Sequence, residues 1–112
     1  MIALFVGYDP AMLFNPLTRY LYSERELPHG TKVNLVPGYF SVGEPRERVF
    51  QEVAEAGFKR WAPFGTDPAI TDEFERSAGS NMACGYEFFL GFGFDADGGL
   101  LKAENQVDGA CL

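Results

Sequence analysis

The stretch CGYEFFLGFGFDADGGLLKAENQVDG, residues 84–109, reads as a long antiparallel β-hairpin around which the rest of the chain is arranged. From Cys84 the even positions are Cys84, Tyr86, Phe88, Leu90, Phe92 and Phe94, and the odd ones are Gly85, Glu87, Phe89, Gly91, Gly93 and Asp95. Successive side chains leave opposite faces of a pleated strand, so an apolar residue at every second position marks a strand with one dry face. Phe89 alone breaks the alternation. Past the polar turn Asp95-Ala96-Asp97-Gly98, Leu101, Ala103, Asn105 and Val107 share one parity, while Lys102, Glu104 and Gln106 take the other.

Two registers compete. If Phe92 faces Ala103, then Phe94 faces Leu101 and Phe88 faces Val107. Cys84 then faces Cys111 on the buried side, where a cross-strand disulfide is geometrically possible. A type I turn closed by a left-handed Gly98 would instead pair Asp95 with Gly99 and Phe94 with Leu100. It would turn Lys102 and Glu104 inward unless a bulge corrects the slip. Burying two unpartnered charges costs on the order of several kcal/mol, which favours the first register.

At 112 residues the chain (1–112) suits a single domain with one core. Apolar residues make up 46% and aromatic ones 15%, including eleven Phe, which excludes a disordered chain and suits a small sheet burying large area per residue. A formal charge of −7 with scattered basic residues argues against nucleic acid or an anionic membrane surface as partner. The two cysteines allow one pairing. A disulfide there implies an oxidising compartment, a cell envelope or periplasm, whereas two free core thiols would leave the chain in the cytoplasm.

Residues 1–22 form an apolar arm whose only charges are Asp9 and Arg19. Asp9-Pro10 and Asn15-Pro16 interrupt it too early for a spanning helix, and it lacks the basic start and cleavage site of a signal peptide. It is either an arm that rests on the sheet or the remnant of a membrane anchor preceding residue 1. Leu27-Pro28-His29-Gly30 is a turn, and Val33–Val36 a short edge strand.

Residues 43–57 form the main helix. Val49, Phe50, Val53 and Ala54 make its apolar stripe, Pro45 sits in the first turn, and Gly57 ends it in a left-handed conformation with Phe58 folding back on Val53. Residues 61–68 read as a loop from which Trp61 and Phe64 reach the core. Thr71–Ser77 reads as a second, short helix capped by Thr71.

Few constellations carry chemistry. Around Gly98, Asp95, Asp97, Leu100 and Glu104 have the spacing of an EF-hand loop, but Gly93 stands where the first carboxylate belongs and the flanks are strands, so Asp95 and Asp97 are weak metal candidates. His29 is the sole histidine, and strand-facing cysteines are poor nucleophiles. Asp72, Glu73 and Glu75 with Asp67 are a possible acid/base or metal cluster, read as a solvated face. Gly91-Phe92-Gly93 lacks the rest of a dinucleotide fingerprint. Alternating with Phe, these glycines leave a smooth outer face for something to lie against. No cofactor is implied.

The segment FSVGEPRERVFQEVAEAGF, within Tyr39–Phe58, and FDADGGL, Phe94–Leu100, resemble the helix opening and the hairpin of a family of small envelope domains. That family is the small lipoprotein of the outer-membrane β-barrel assembly machinery, with the related β-lactamase-inhibitor-protein fold. The resemblance covers about half the chain and implies helices on an antiparallel sheet that bind other proteins and catalyse nothing. The long 61–68 loop and the missing lipobox cysteine depart from it.

The expectation is therefore an α+β domain, one or two helices packed on one face of a small antiparallel sheet with a long C-terminal β-hairpin. Its function would be non-catalytic binding of a protein or peptide in a cell envelope, through the outer face carrying Phe89, Gly91 and Gly93 with Trp61, or through an exposed edge. The alternative is a small-ligand or enzymatic domain with a pocket lined by Trp61, Tyr86 and other aromatics.

Overall fold

The structure, a computed structural model, describes residues 14–61, 67–80 and 84–111. Five antiparallel strands form one sheet in the order β1 (Lys32–Asn34), β5 (Leu100–Cys111), β4 (Cys84–Phe94), β3 (Asp72–Ser80) and β2 (Lys59–Trp61). Two helices, α1 (Pro16–Leu21) and α2 (Arg46–Glu55), contribute to the core on one face, and a 3-10 segment, Tyr22–Glu26, continues α1. The α+β class and the long C-terminal hairpin follow the alternation of residues 84–109.

In the hairpin, both candidate registers are present, each over its own length. Phe92 pairs with Ala103, Phe88 with Val107 and Cys84 with Cys111, but at the turn Phe94 pairs with Leu100. Gly98 takes φ +85, and the Asp95 N–H donates to the Gly99 carbonyl at 2.8 Å, so the tight turn sets the local pairing. A bulge at Leu101 then absorbs the one-residue slip, restoring the alternation before Lys102. Leu100 is consequently fully buried and Leu101 is 55% exposed, the reverse of the pairing of Phe94 with Leu101.

The helix over 43–57 begins later, at Arg46, with Pro45 as its extended N-cap residue. Its end is a Schellman motif. Gly57 has φ +87, its N–H donates to the Ala54 carbonyl at 3.0 Å, and the Phe58 N–H reaches the Val53 carbonyl at 3.2 Å. The N-terminal end is tied to the hairpin turn, because the Arg46 N–H donates to the Gly98 carbonyl and the Leu100 N–H to that of Glu44, both at 2.9 Å. The turn therefore positions the helix.

One local reading is corrected and a second is refined. Thr71–Ser77 is not a helix; most of it belongs to β3, which pairs with β4 from Asp72↔Phe92 onward. Only Phe74 is buried among these residues, so the segment carries too little apolar periodicity to oppose its helix-like start, and tertiary pairing decides. Asn15-Pro16 does interrupt the arm, and it does so as the start of a helix, Asn15 itself being extended. The Asn15 Oδ1 accepts from the Leu17 and Thr18 N–H groups at 2.9 and 3.2 Å, and Pro16 occupies the first helical position. Residues 1–13 of the apolar arm lie outside the described residues. Its remainder packs on the sheet, with Leu17 and Leu21 fully buried.

Between helices and sheet lies one aromatic-rich core. Phe40 meets Phe92 edge-on at 5.4 Å, and Phe50 meets Phe74 and Phe94 at 5.4 and 5.6 Å. The Arg60 guanidinium covers the Phe50 and Phe74 rings at 5.2 and 5.0 Å. Trp61, expected in this core, is on the opposite face and 41% exposed, because it follows Arg60 by one position in β2. Phe64 lies outside the described residues. No helix among the described residues is long and apolar enough to cross a membrane.

Candidate binding surface

The face of the sheet away from the helices is built from the other parity of each strand. It carries Lys59 and Trp61 on β2, Glu73, Glu75 and Ser77 on β3, Glu87, Phe89, Gly91 and Gly93 on β4, and Lys102, Glu104, Gln106 and Asp108 on β5. Half of it is covered by the chain itself. A Cβ on Gly91 would stand 2.9 Å from Ile70 Cγ2, and one on Gly93 would collide with the Ala69 carbonyl. Asp67 pins this segment by an ion pair to Lys102 at 2.7 Å, and its other oxygen accepts from the Ala69 N–H at 2.9 Å. The glycines do leave room for something to lie against, and the occupant is residues 67–70. Gly91 and Gly93 are therefore buried and do not belong to an open surface.

Among the described residues, the open half bears Trp61, 41% exposed, and the half-buried Phe89, whose rings meet edge-on at 5.7 Å. Around them run carboxylates. Glu73 is opposite Trp61, and Glu75 is opposite both Lys59 and Phe89. Glu87 stands opposite Asp108 and Ser77. Burial raises the Glu87 carboxyl above the usual range, and the charge of Glu75, a hydrogen bond shared with it and the charge of Asp108 push the same way. Asp72 leaves by the other face and pairs with Arg60 at 3.0 Å, so the carboxylates of 67–75 are not one cluster. No group of three or more metal-ligating side chains occurs among the described residues.

Both lateral edges of the sheet are blunted. Beyond the reach of β2, β3 carries a bulge between Ser77 and Gly79, and the Arg76 guanidinium donates to the Ser77 carbonyl at 2.7 Å. Beyond β1, the Gly109 N–H of β5 donates to His29 Nδ1 at 3.1 Å. The same ring nitrogen lies 2.8 Å from Asp108 Oδ1. It serves one partner at a time: unprotonated it accepts from Gly109, protonated it donates to Asp108. This His29–Asp108 juxtaposition joins residues far apart in sequence, and no spacing rule could have found it.

His29, Asp108, Tyr86 and Glu87 line an open cleft of about 390 Å³. A second, of about 360 Å³, is lined by Lys59, Glu75, Ser77 and Glu87, and a third, of about 450 Å³, by Arg46, Asp95 and Asp97. Tyr86 and Trp61 belong to opposite parities, so the two do not form one pocket. At the turn, Asp95 Oδ1 accepts from the Asp97 and Gly99 N–H groups at 2.9 and 2.8 Å, which is the hydrogen bonding of a polar turn.

The cysteines are placed by backbone alone, their thiols lying outside the described side chains. The Val107 N–H donates to Thr31 and its carbonyl accepts from Gly30, so Val107 directs its peptide groups toward the β1 side, away from β4. Cys111, four positions on in the same register, faces Cys84 with the same parity. That makes Cys84↔Cys111 a pair without ladder hydrogen bonds, where strands approach most closely, about 4.5 Å between Cα atoms.

With the site described, comparison with known proteins adds no relative: no protein family, no curated protein and no solved structure matches this chain.

Two outcomes follow from these contacts. Gly93→Ala should destabilise the fold by about 1–3 kcal/mol in urea unfolding, because the backbone of Ala69 must move. Gly85→Ala, with open space around its Cβ position, should stay within about 0.5 kcal/mol.

Stability should also depend on pH through Glu87 and Glu24, both raised above 4.5 in the fold chiefly by burial. A raised carboxyl contributes stability that is complete below its unfolded value and is lost as pH rises through its folded value. The melting temperature should therefore fall as pH rises from 4.5 toward neutrality. Asp67, held below 3.8 first by its Lys102 hydrogen bond, acts in the opposite sense only under more acidic conditions. Glu87→Gln should flatten the fall, as read by thermal melts across that range.

Proposed function

We propose that this chain is a non-catalytic domain that binds a protein or peptide partner on the open half of its outer sheet face. The observation that carries the reading is the Trp61–Phe89 pair, a tryptophan 41% exposed yet held edge-on against a neighbouring ring. Such pre-ordered aromatics lose little side-chain freedom on binding and dominate interface energetics. A small-molecule site would be an enclosed, mostly apolar cavity; the clefts described above, among the described residues, are open. Blunted edges disfavour strand addition, so the outer face is preferred to an edge.

The same reading places the domain in a cell envelope, with Cys84 and Cys111 joined. Their close, same-parity register supports this, and a disulfide persists in an oxidising compartment.

Photo-crosslinking tests the surface. A photoreactive phenylalanine analogue in place of Phe89, in the native host, should give discrete protein adducts that the same analogue at Val42, 66% exposed and away from the sheet face, does not give. No adduct from position 89, or the same adducts from both, would remove the reading. Intact mass after alkylation under denaturing, non-reducing conditions tests the compartment: a joined pair takes up no alkylating agent. Two alkylated thiols after incubation in a periplasm-like redox buffer would end the envelope assignment.

A further inference from the structure

The binding reading above leaves the partner's chemistry open, and the charges around Trp61 and Phe89 narrow it. On the open half of the face, Glu73, Glu75, Glu87 and Asp108 lie on three adjacent strands. The sheet's cations are mostly committed elsewhere. Lys102 is paired with Asp67 at 2.7 Å, Lys32 lies 3.8 Å from Glu104, Arg60 covers core rings, and Arg76 donates to the Ala56 carbonyl at 2.9 Å on the helix face. Lys59, opposite Glu75, is the described cation whose register position adjoins these carboxylates. Like charges at neighbouring strand positions destabilise a sheet, so an arriving cation both forms new bonds and relieves existing repulsion.

We infer that the occupant of this face is an extended, basic protein segment, with an arginine side chain seated against Trp61 and Phe89 and hydrogen-bonded by Glu75 and Glu87. A planar guanidinium stacks on an aromatic face while its edge offers paired N–H donors to carboxylates, which a compact ammonium cannot do equally well. The open face fits a peptide better than a small polyamine, since no described residue encloses a free ligand. The blunted edges require that recognition come from side chains. The inference rests on the binding function proposed above and adds the partner's charge.

Trp61 is the only tryptophan, so its emission reports the site directly. The full chain is titrated with the capped peptide Ala-Arg-Val-Arg-Ala, its glutamate counterpart Ala-Glu-Val-Glu-Ala, and calcium chloride alone. A saturable emission change with the arginine peptide is expected, several-fold weaker in the Glu75→Gln/Glu87→Gln variant and unchanged in Glu104→Gln, which alters the same face beside β1. The double variant removes mutual repulsion and should stay folded, as circular dichroism checks.

Silence with the arginine peptide, an equal response to the glutamate peptide, or a double variant that binds like the original would each overturn the inference. So would a response to calcium alone that abolishes peptide binding, since the carboxylates would then be a metal site. Crosslinking at Phe89 separates the two levels: adducts there with a silent arginine peptide would remove the basic partner and leave the binding function standing.

Discussion

The pairing of β4 with β5, and the single bulge at Leu101 within it, sets which side chains face which way throughout this protein. A tight turn with Gly98 at positive φ forces Phe94 against Leu100, whereas burial of Phe88 and Phe92 requires Val107 and Ala103 opposite them. These demands differ by one residue. Without the bulge every side chain of β5 past the turn would change faces, putting Lys102 and Glu104 in the core and Ala103 and Val107 outside. With it, Leu101 is the one residue displaced, and its exposure is the cost of satisfying both ends.

Much of this could be read from the chain because period-two alternation and helix caps are local signals. Residues 84–94 declare a strand, and Gly57 with Phe58 declares the end of α2. The failures share a cause. Phe74 is the one buried side chain of the 71–77 segment, so nothing in its spacing opposed a helical reading, and only pairing with β4 makes it a strand. Gly91 and Gly93 signalled a close approach without naming what approaches, and the occupant sits more than twenty positions upstream. The open surface was legible in part: Phe89 stood out by breaking the alternation, but Trp61 reads from its spacing either as core or as outer face, because one residue of register decides between them.

Burial of Asn105 is the other constraint that reaches across the fold. Its parity with Ala103 and Val107 places an amide in the core, fully buried. Its Nδ2 donates to Glu24 Oε1 at 2.8 Å, a bond spanning 81 residues that fastens the 3-10 segment after α1 to β5. Burial raises the Glu24 carboxyl, which the Asn105 hydrogen bond only partly opposes. An apolar residue at position 105 would remove the bond that opposes that shift, and it would hold the N-terminal segment by shape alone. A polar contact between distant elements fixes one arrangement, which is how interior hydrogen bonds contribute specificity even where they add little stability.

The two faces of the sheet are thus closed by different means, and the difference bears on function. The helix face is sealed by helices and aromatic rings. The outer face is sealed only where glycines let residues 67–70 descend onto β4 and where Lys102 anchors Asp67. Toward Phe89 the glycines stop and side chains rise from the sheet. A sheet stabilised solely for its own sake would gain little from placing an exposed tryptophan beside neighbouring carboxylates there. Since the edge strands are only three residues long, and β3 and β5 beyond them are blunted by a bulge, by Arg76 and by His29, the backbone offers an arriving chain only a short ladder. A partner on this face, as proposed above, would be recognised by its side chains, with aromatic contact supplying area and the carboxylates supplying selection.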